Sequence, residues 1–202
     1  TLMMDRIDIL AELGEAVYMF SDRAKAEHKF LLYEEPAMLS PVLGDINRLR
    51  QVFVNIIDNA LKYTDEQGTV SVSACEEDGF IKVQIVDTGC GIPIEHLPNI
   101  KKKFYKANHV VRGSGIGLAL ADEIITLHNG TLEVESQENL GTAVTIRIPA
   151  MQQFDNKDMQ EVQQELPIES QEQHIIDAKQ IDDTLDDNEN QSNREVEERN
   201  NN

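Results

Sequence analysis

Asn55, Asn59 and Lys62 stand at i, i+4 and i+7, the spacing that brings side chains onto one face of a helix. Asn is a mediocre helix residue because its carboxamide competes for backbone hydrogen bonds. Two of them in mid-helix need a reason. Exposure to solvent is one. The other is chemical: neutral amide oxygens suit a hard cation such as Mg²⁺ shared with phosphate, and the Lys62 ammonium would add a compact positive charge for a phosphate oxygen. Tyr63 follows at the helix end.

A second group is Asp87-Thr88-Gly89-Cys90-Gly91-Ile92-Pro93. A carboxylate ends a strand, and two glycines then let the backbone turn sharply and approach a ligand closely. An ionised Asp only accepts hydrogen bonds. In a pocket, Asp87 would favour adenine, whose exocyclic amine donates, over guanine, which has an acceptor oxygen there. Alone, the motif is equally an Asp-Gly turn. A third group, Gly113-Ser114-Gly115-Ile116-Gly117-Leu118, opens a helix with three glycines and aims N–H groups and the helix dipole at an anion. It lacks the Gly-Lys-Ser/Thr ending of a Walker loop, and no strand precedes it as a dinucleotide fingerprint requires. Between the two glycine motifs, Lys101, Lys102, Lys103, Lys106 and Arg112 place five of the 18 basic residues within twelve positions. Such a cluster is either a solvated charge run or a lid over a polyanion.

These groups need a frame. Asp45 is a good N-cap for a long helix whose apolar stripe is Leu49, Val52, Phe53, Ile56, Ile57, Ala60 and Leu61. Residues 69–75 and 80–86 alternate with period two and predict paired strands around 77–79. Residues 114–128 predict a helix, and 131–136 with 143–148 a closing hairpin. Short strands are expected over 30–33 and 38–43. Residues 1–26 predict one helix with an a/d-type seam at Met3, Ile7, Leu10, Gly14, Val17, Ser21 and Ala24, packing on another helix within the chain or across a dimer. The mixture is an α+β layer, one sheet covered by helices.

The 202 residues carry a net charge of −19. That argues against duplex nucleic acid, whose binders rely on Lys and Arg, and against an anionic membrane surface. No apolar run approaches the ~18–20 residues that span a bilayer, and the opening residues do not form a secretory leader. Two cysteines fit a reducing compartment. Residues 151–202 hold 15 acidic and 4 basic side chains with Phe154 as the only aromatic. They read as a disordered acidic tail. The start at Thr1 inside a helix-like pattern reads as a fragment of something longer.

In this order and spacing, residues 43–149 resemble the ATP-binding catalytic domain of sensor histidine kinases, within the superfamily of gyrase, Hsp90 and MutL. Residues 45–64 resemble its N box, Asp87 to Ile92 its G1 box, Phe104-Tyr105-Lys106 its F box and Gly113 to Leu118 its G2 box; 128–142 resembles its closing hairpin. The resemblance implies a two-layer α/β sandwich of the Bergerat type, with a mixed sheet of about five strands covered on one face by about three helices. It implies domains at 1–27 (end of a dimerisation helix and linker), 28–150 (catalytic) and 151–202 (tail). It assigns Mg²⁺ to Asn59 and Asn55, and ATP to Asn59, Lys62, Tyr63, Asp87, Gly89, Gly91, Ile92, Phe104, Tyr105, Lys106, Gly113, Ser114, Gly115, Ile116, Gly117, Leu118 and Thr142. Catalysis would rest on Asn55, Asn59 and Lys62.

Hydrolysing members of the superfamily carry Glu where this chain has Asn55. A carboxamide cannot deprotonate a water, so the resemblance implies phosphoryl transfer to a histidine and only slow hydrolysis. The implied partners are a phosphoacceptor-histidine dimerisation domain, a response regulator and a second copy of the full-length protein, with no nucleic acid. The implied location is the cytoplasm, or the cytoplasmic part of a membrane-bound sensor. An ATPase clamp and a nucleotide-sensing module without transfer are the alternatives. Two departures stand out. No histidine here has the neighbours of the family's phosphoacceptor motif, and Lys101 stands where the F box usually begins with an aromatic residue.

Overall fold

Alternation decides the sheet. Val70, Val72 and Ala74, then Ile81, Val83 and Ile85, then Val144, Ile146 and Ile148 are buried at every second position, and each set belongs to a strand. The computed structural model describes residues 2–36, 38–107 and 115–151. In chain order it contains β1 (Asp5–Ile7), α1 (Ile9–Ala26), β2 (Phe30–Glu34), β3 (Val42–Gly44), α2 (Ile46–Tyr63), β4 (Thr69–Glu77), β5 (Phe80–Asp87), α3 (Gly117–Leu127), β6 (Thr131–Gln137) and β7 (Gly141–Pro149), with one 3₁₀ turn at Leu97–Asn99. The main sheet runs β2-β4-β5-β7-β6, and β1 pairs with β3 separately. Only β2 and β4 are parallel; the other neighbours are antiparallel. The inward residues of the sheet share one core with α1, α2 and α3. This is the two-layer α/β sandwich with a mixed five-stranded sheet that the resemblance implies.

The long helix begins where its capping residue places it. Asp45 Oδ1 accepts from Asn47 N (3.1 Å) and Arg48 N (3.2 Å), and Oδ2 accepts from Met3 N (3.0 Å). The Asp45 N–H donates to His128 Nε2 at 2.9 Å, while His128 Nδ1 lies 2.7 Å from the Ile124 carbonyl. A carbonyl only accepts, so Nδ1 carries the proton and Nε2 the lone pair. One buried neutral imidazole thus ties the end of α3 to the start of α2.

The first helix differs from expectation. It starts at Ile9, because the Asp8 side chain accepts from Leu10 N and caps it there, and because residues 5–7 are held in β1 by pairing with 42–44. Its buried stripe is Ile9, Glu12, Leu13, Ala16, Val17, Phe20 and Ala24, so Met3, Leu10, Gly14 and Ser21 leave the expected seam. The stripe packs on α2 and β2 within this chain. Inside it, the Glu12 carboxylate is ion-paired with Arg50 of α2 at 2.7 Å. The strand expected over 38–43 is shorter and later, at Val42–Gly44. The expected tail at 151–202 lies outside the described residues except for Met151.

Three N–H donors hold the Asp45 carboxyl below its usual range, Met3 first, then Arg48 and Asn47. A lowered native value means the stabilisation is present above the unfolded value, about 3.9, and is lost as pH falls through the native one. Asp45→Ala should therefore lower the urea midpoint at neutral pH, and the gap to wild type should close below about pH 4. Paired urea titrations across that range test this. A gap that persists in acid would assign the loss to something other than the carboxylate.

Candidate functional site

With its apolar stripe turned into the sheet, α2 presents its other face to a cavity of about 280 Å³. Asn55, Asn59, Lys62 and Tyr63 line it from that helix. Ile85 and Asp87 at the end of β5, Val134 of β6, and Thr142 and Val144 at the start of β7 form the opposing wall, and Ile92, Ile100, Tyr105, Lys106 and Ala107 come from the connecting loop. Gly115, Gly117 and Leu118 close it at the start of α3. Tyr63 ends beside the Asp87 turn, its carbonyl accepting from Cys90 N at 3.1 Å. Two turns earlier, Asn55 Nδ2 donates to the Gly117 carbonyl at 3.4 Å. The eight residues from 55 to 63 rise about 12 Å, so the cavity is elongated along α2.

Asp87 is the most constrained group in it. Its Oδ1 accepts from Gly89 N (2.9 Å) and Thr142 N (3.3 Å); among the described residues Oδ2 accepts nothing. Burial pushes the Asp87 carboxyl up, and the two N–H groups partly offset that. Beside it, Ser136 Oγ meets Ile92 N, the Gly141 carbonyl and Thr142 Oγ1, each at 2.8 Å. Two glycines let these segments meet. Gly91 (φ +65°) leaves no room for a Cβ against the Gln137 carbonyl, and a Cβ on Gly141 (φ +121°) would fall on the Asp87 carbonyl. Burial, then the negative charge of Asp87, pushes the Cys90 thiol up, which keeps it in the unreactive thiol form.

Of the residues singled out in the sequence, Asn55, Asn59, Lys62, Tyr63, Asp87, Ile92, Tyr105, Lys106, Gly115, Gly117, Leu118 and Thr142 line the cavity. Gly89 and Gly91 shape the turn without lining it. Ile116 does not line it either, and Phe104 is 74% exposed with φ +68°. Gly113, Ser114 and Arg112 lie outside the described residues. The basic cluster is less open to a polyanion than its sequence implies. Lys101 Nζ is paired with Asp122 (2.8 Å) and also reaches the Leu132 carbonyl; Lys103 pairs with Glu123 (2.8 Å), and Lys102 bonds Asn99 Oδ1 (2.6 Å). Lys106 alone of the four lines the cavity. Lys101, at the place of the missing aromatic, anchors the loop to α3 and β6 by charge and hydrogen bonding.

Sequence reasoning passed over the apolar wall of Ile56, Ala60, Ile85, Val134 and Val144, whose signals were the apolar stripe of α2 for the first two and the inward set of each strand for the other three. It also passed over Asp58, which lines the cavity while bonded to Arg23 of α1 at 2.6 Å. Among the described residues no cluster of three His, Cys, Asp or Glu could cage a metal. The Asn55 and Asn59 carboxamides suit a hydrated cation shared with substrate phosphates, the way Mg²⁺ is commonly held.

Residues 44–152 match the family described as histidine kinase-, DNA gyrase B-, and HSP90-like ATPase. The chain belongs to this family. It is similar to sensor histidine kinase Hik2 of Thermosynechococcus vestitus, 32% identical over 148 residues, which are 71% of this chain and 38% of that protein. It is 36% identical over 143 residues to the non-motile and phage-resistance protein of Caulobacter vibrioides, covering 67% of this chain and 17% of that one. Among solved structures, full-length ShkA in complex with AMPPNP superposes with a TM-score of 0.67 at 26% identity, over 74% of this chain and 32% of that chain. The mycobacterial sensor histidine kinase MprB gives 0.62 at 25% identity, over 73% and 98%. The chain spans less than two fifths of the length of the curated relatives named here. Its described body is an ATP-binding domain of the histidine kinase type. No described helix is long and apolar enough to cross a membrane.

The close approach of Gly141 to Asp87 makes a direct prediction for this fold. Gly141→Ala should cost more than about 2 kcal/mol, because the backbone must leave positive φ and the Asp87 carbonyl must move. Urea unfolding of the variant measures it, and an unchanged midpoint would show that the approach is dispensable.

Proposed function

We propose that this chain is the ATP-binding catalytic domain of a two-component sensor histidine kinase, transferring the γ-phosphoryl group of ATP to a histidine on a dimerisation domain. The observation that carries this reading is one cavity holding Asp87 and Thr142 at the Tyr63 end of α2 and Asn55 and Asn59 along its length. In this reading the catalytic unit expected at 28–150 takes in β1 and α1 as well, since their apolar residues share its core.

Asp87 would accept from the adenine amine, with Thr142 supporting it through water and the Ile85, Ile92 and Val144 side chains bracketing the ring. Tyr63 and Tyr105 line the path to the phosphates, where Lys62 and Lys106 supply positive charge. Asn55 and Asn59 would hold Mg²⁺, which neutralises phosphate oxygens when bound. Gly115, Gly117 and the helix that starts there would face the phosphates with N–H groups. Nothing on the cavity wall need act as a base, because a histidine side chain is itself a nucleophile. The work left to these residues is positioning and charge stabilisation. Asn55 favours transfer over hydrolysis, since a carboxamide cannot activate water. The partners in this reading are the phosphoacceptor domain, a response regulator and a second copy of the whole protein, in or facing the cytoplasm.

The full chain, mixed with labelled ATP, Mg²⁺ and a histidine-bearing dimerisation domain, should place an acid-labile, base-stable label on that domain. Asn59→Ala should slow labelling about 100-fold or more. No label on the domain, or hydrolysis at the rate of a dedicated ATPase, would overturn the reading.

Asp87 gives the proposal a pH signature. Binding an amine donor favours the ionised carboxyl, so affinity for adenosine rises with pH through the Asp87 value and falls below it. Burial has pushed that value up, so the loss should begin above the ordinary Asp range near 3.9. Asp87→Asn should weaken binding about tenfold or more and remove this pH dependence. Calorimetry with adenosine, which has no phosphate to titrate in this range, reads both.

A further inference from the structure

We infer that Ser136 is a specificity-positioning residue: it fixes the direction of the Thr142 hydroxyl and so makes Thr142, like its neighbour Asp87, acceptor-only toward the base. This rests on the reading that Asp87 and Thr142 receive the base.

The argument is a count of protons. A serine hydroxyl has one hydrogen and two lone pairs. Ser136 Oγ has three partners at 2.8 Å: Ile92 N, the Gly141 carbonyl oxygen and Thr142 Oγ1. The Ile92 amide can only donate, so it takes one lone pair. The Gly141 carbonyl can only accept, so it takes the single proton. One lone pair is left for Thr142, whose hydroxyl must then donate to Ser136. The Thr142 proton is thereby committed away from the ligand, and Thr142 Oγ1 offers the cavity lone pairs alone.

The neighbouring carboxylate has the same polarity. Asp87 Oδ1 is occupied by Gly89 N and Thr142 N, and an ionised carboxylate has no proton to give. Asp87 and Thr142 therefore both accept only. A purine bearing an amine at the recognised position satisfies them directly or through one water. A purine bearing an oxo group there sets an acceptor against two acceptors at that position, the kind of mismatch by which polar sites discriminate. Without the Ser136 hydroxyl, Thr142 recovers a free rotor and can donate to that oxo group. Ser136 also holds Ile92, a cavity wall, through its amide, so the hydroxyl serves the base pocket on two sides. The Ser136↔Thr142 pairing across β6 and β7 keeps the two residues opposite each other.

The test is the ratio of affinities for ATP and inosine triphosphate, which differ at this edge of the purine, measured by calorimetry on the full 202-residue chain. Ser136→Ala should shrink the preference for ATP about fivefold to tenfold, by weakening ATP and strengthening the inosine nucleotide. Ser136→Thr, which keeps the hydroxyl, should restore it. In a Thr142→Val background, Ser136→Ala should leave the ratio unchanged, because no hydroxyl remains to orient. Equal weakening of both nucleotides by Ser136→Ala would mark a purely structural role and overturn the inference. So would an unchanged ratio. Should Ser136→Ala fail to fold by circular dichroism, Ser136→Cys, a poor acceptor and donor of nearly the same shape, carries the same comparison. If Asp87→Asn binds ATP as wild type does, the base-pocket reading itself fails, and that result is distinct from any behaviour of Ser136.

Discussion

Burial of one face of α2 against the sheet sets the rotation of that helix, and the cavity is what its opposite face makes. Leu49, Val52, Phe53, Ile57 and Leu61 are essentially inaccessible to solvent, so the helix cannot turn without exposing them. Side chains at 55, 59 and 62 are then directed away from the core. The Asp45 cap fixes where the helix starts, and with it the registry of every later residue. Rotation and start together determine the position of two carboxamides and an ammonium, with one long bond from Asn55 to the Gly117 carbonyl added. The chemistry borrows its precision from the hydrophobic effect.

The opposing wall is held by a different means. Asp87 sits at the last position of β5, and its carboxylate is aimed by two backbone N–H groups, one from its own turn and one from β7. Glycines at 91 and 141 let three backbone segments converge where side chains would collide. The polar end is therefore built almost wholly from main chain and short hydroxyl side chains. Such groups have few rotamers to lose, so they present fixed lone pairs to whatever binds.

Much of this was legible in the residues. Period-two alternation located β4 and β5, the closing hairpin was legible as β6 and β7, and the spacing of Asn55, Asn59 and Lys62 identified the wetted face of α2. What escaped was set by contacts between distant segments. The seam assigned to residues 1–26 followed a heptad, but β1 pairing with β3 removes residues 5–7 from the helix and Asp8 restarts the count. The lysines at 101–103 read as a solvated charge run or a lid because the acidic partners of Lys101 and Lys103, Asp122 and Glu123, lie about twenty residues on, on α3. Phe104 matched a motif by type, yet its backbone turns the ring to solvent. Ser136 carried no signal at all, since one serine in a strand is ordinary until its three partners are known.

The short strand β3 touches the chain both as it enters the body and as it leaves. Residues 5–7 pair with 44–42, Val42 pairs with Ala150, and Met151 N bonds the Pro41 carbonyl. The exit at Pro149 is opposite Phe80, at the far end of β5 from Asp87, about 23 Å away at the rise of a strand. The entering and leaving segments thus meet on one strand, and that strand runs directly into the Asp45 cap of α2. A pull on either segment would reach the helix that lines the cavity through this junction.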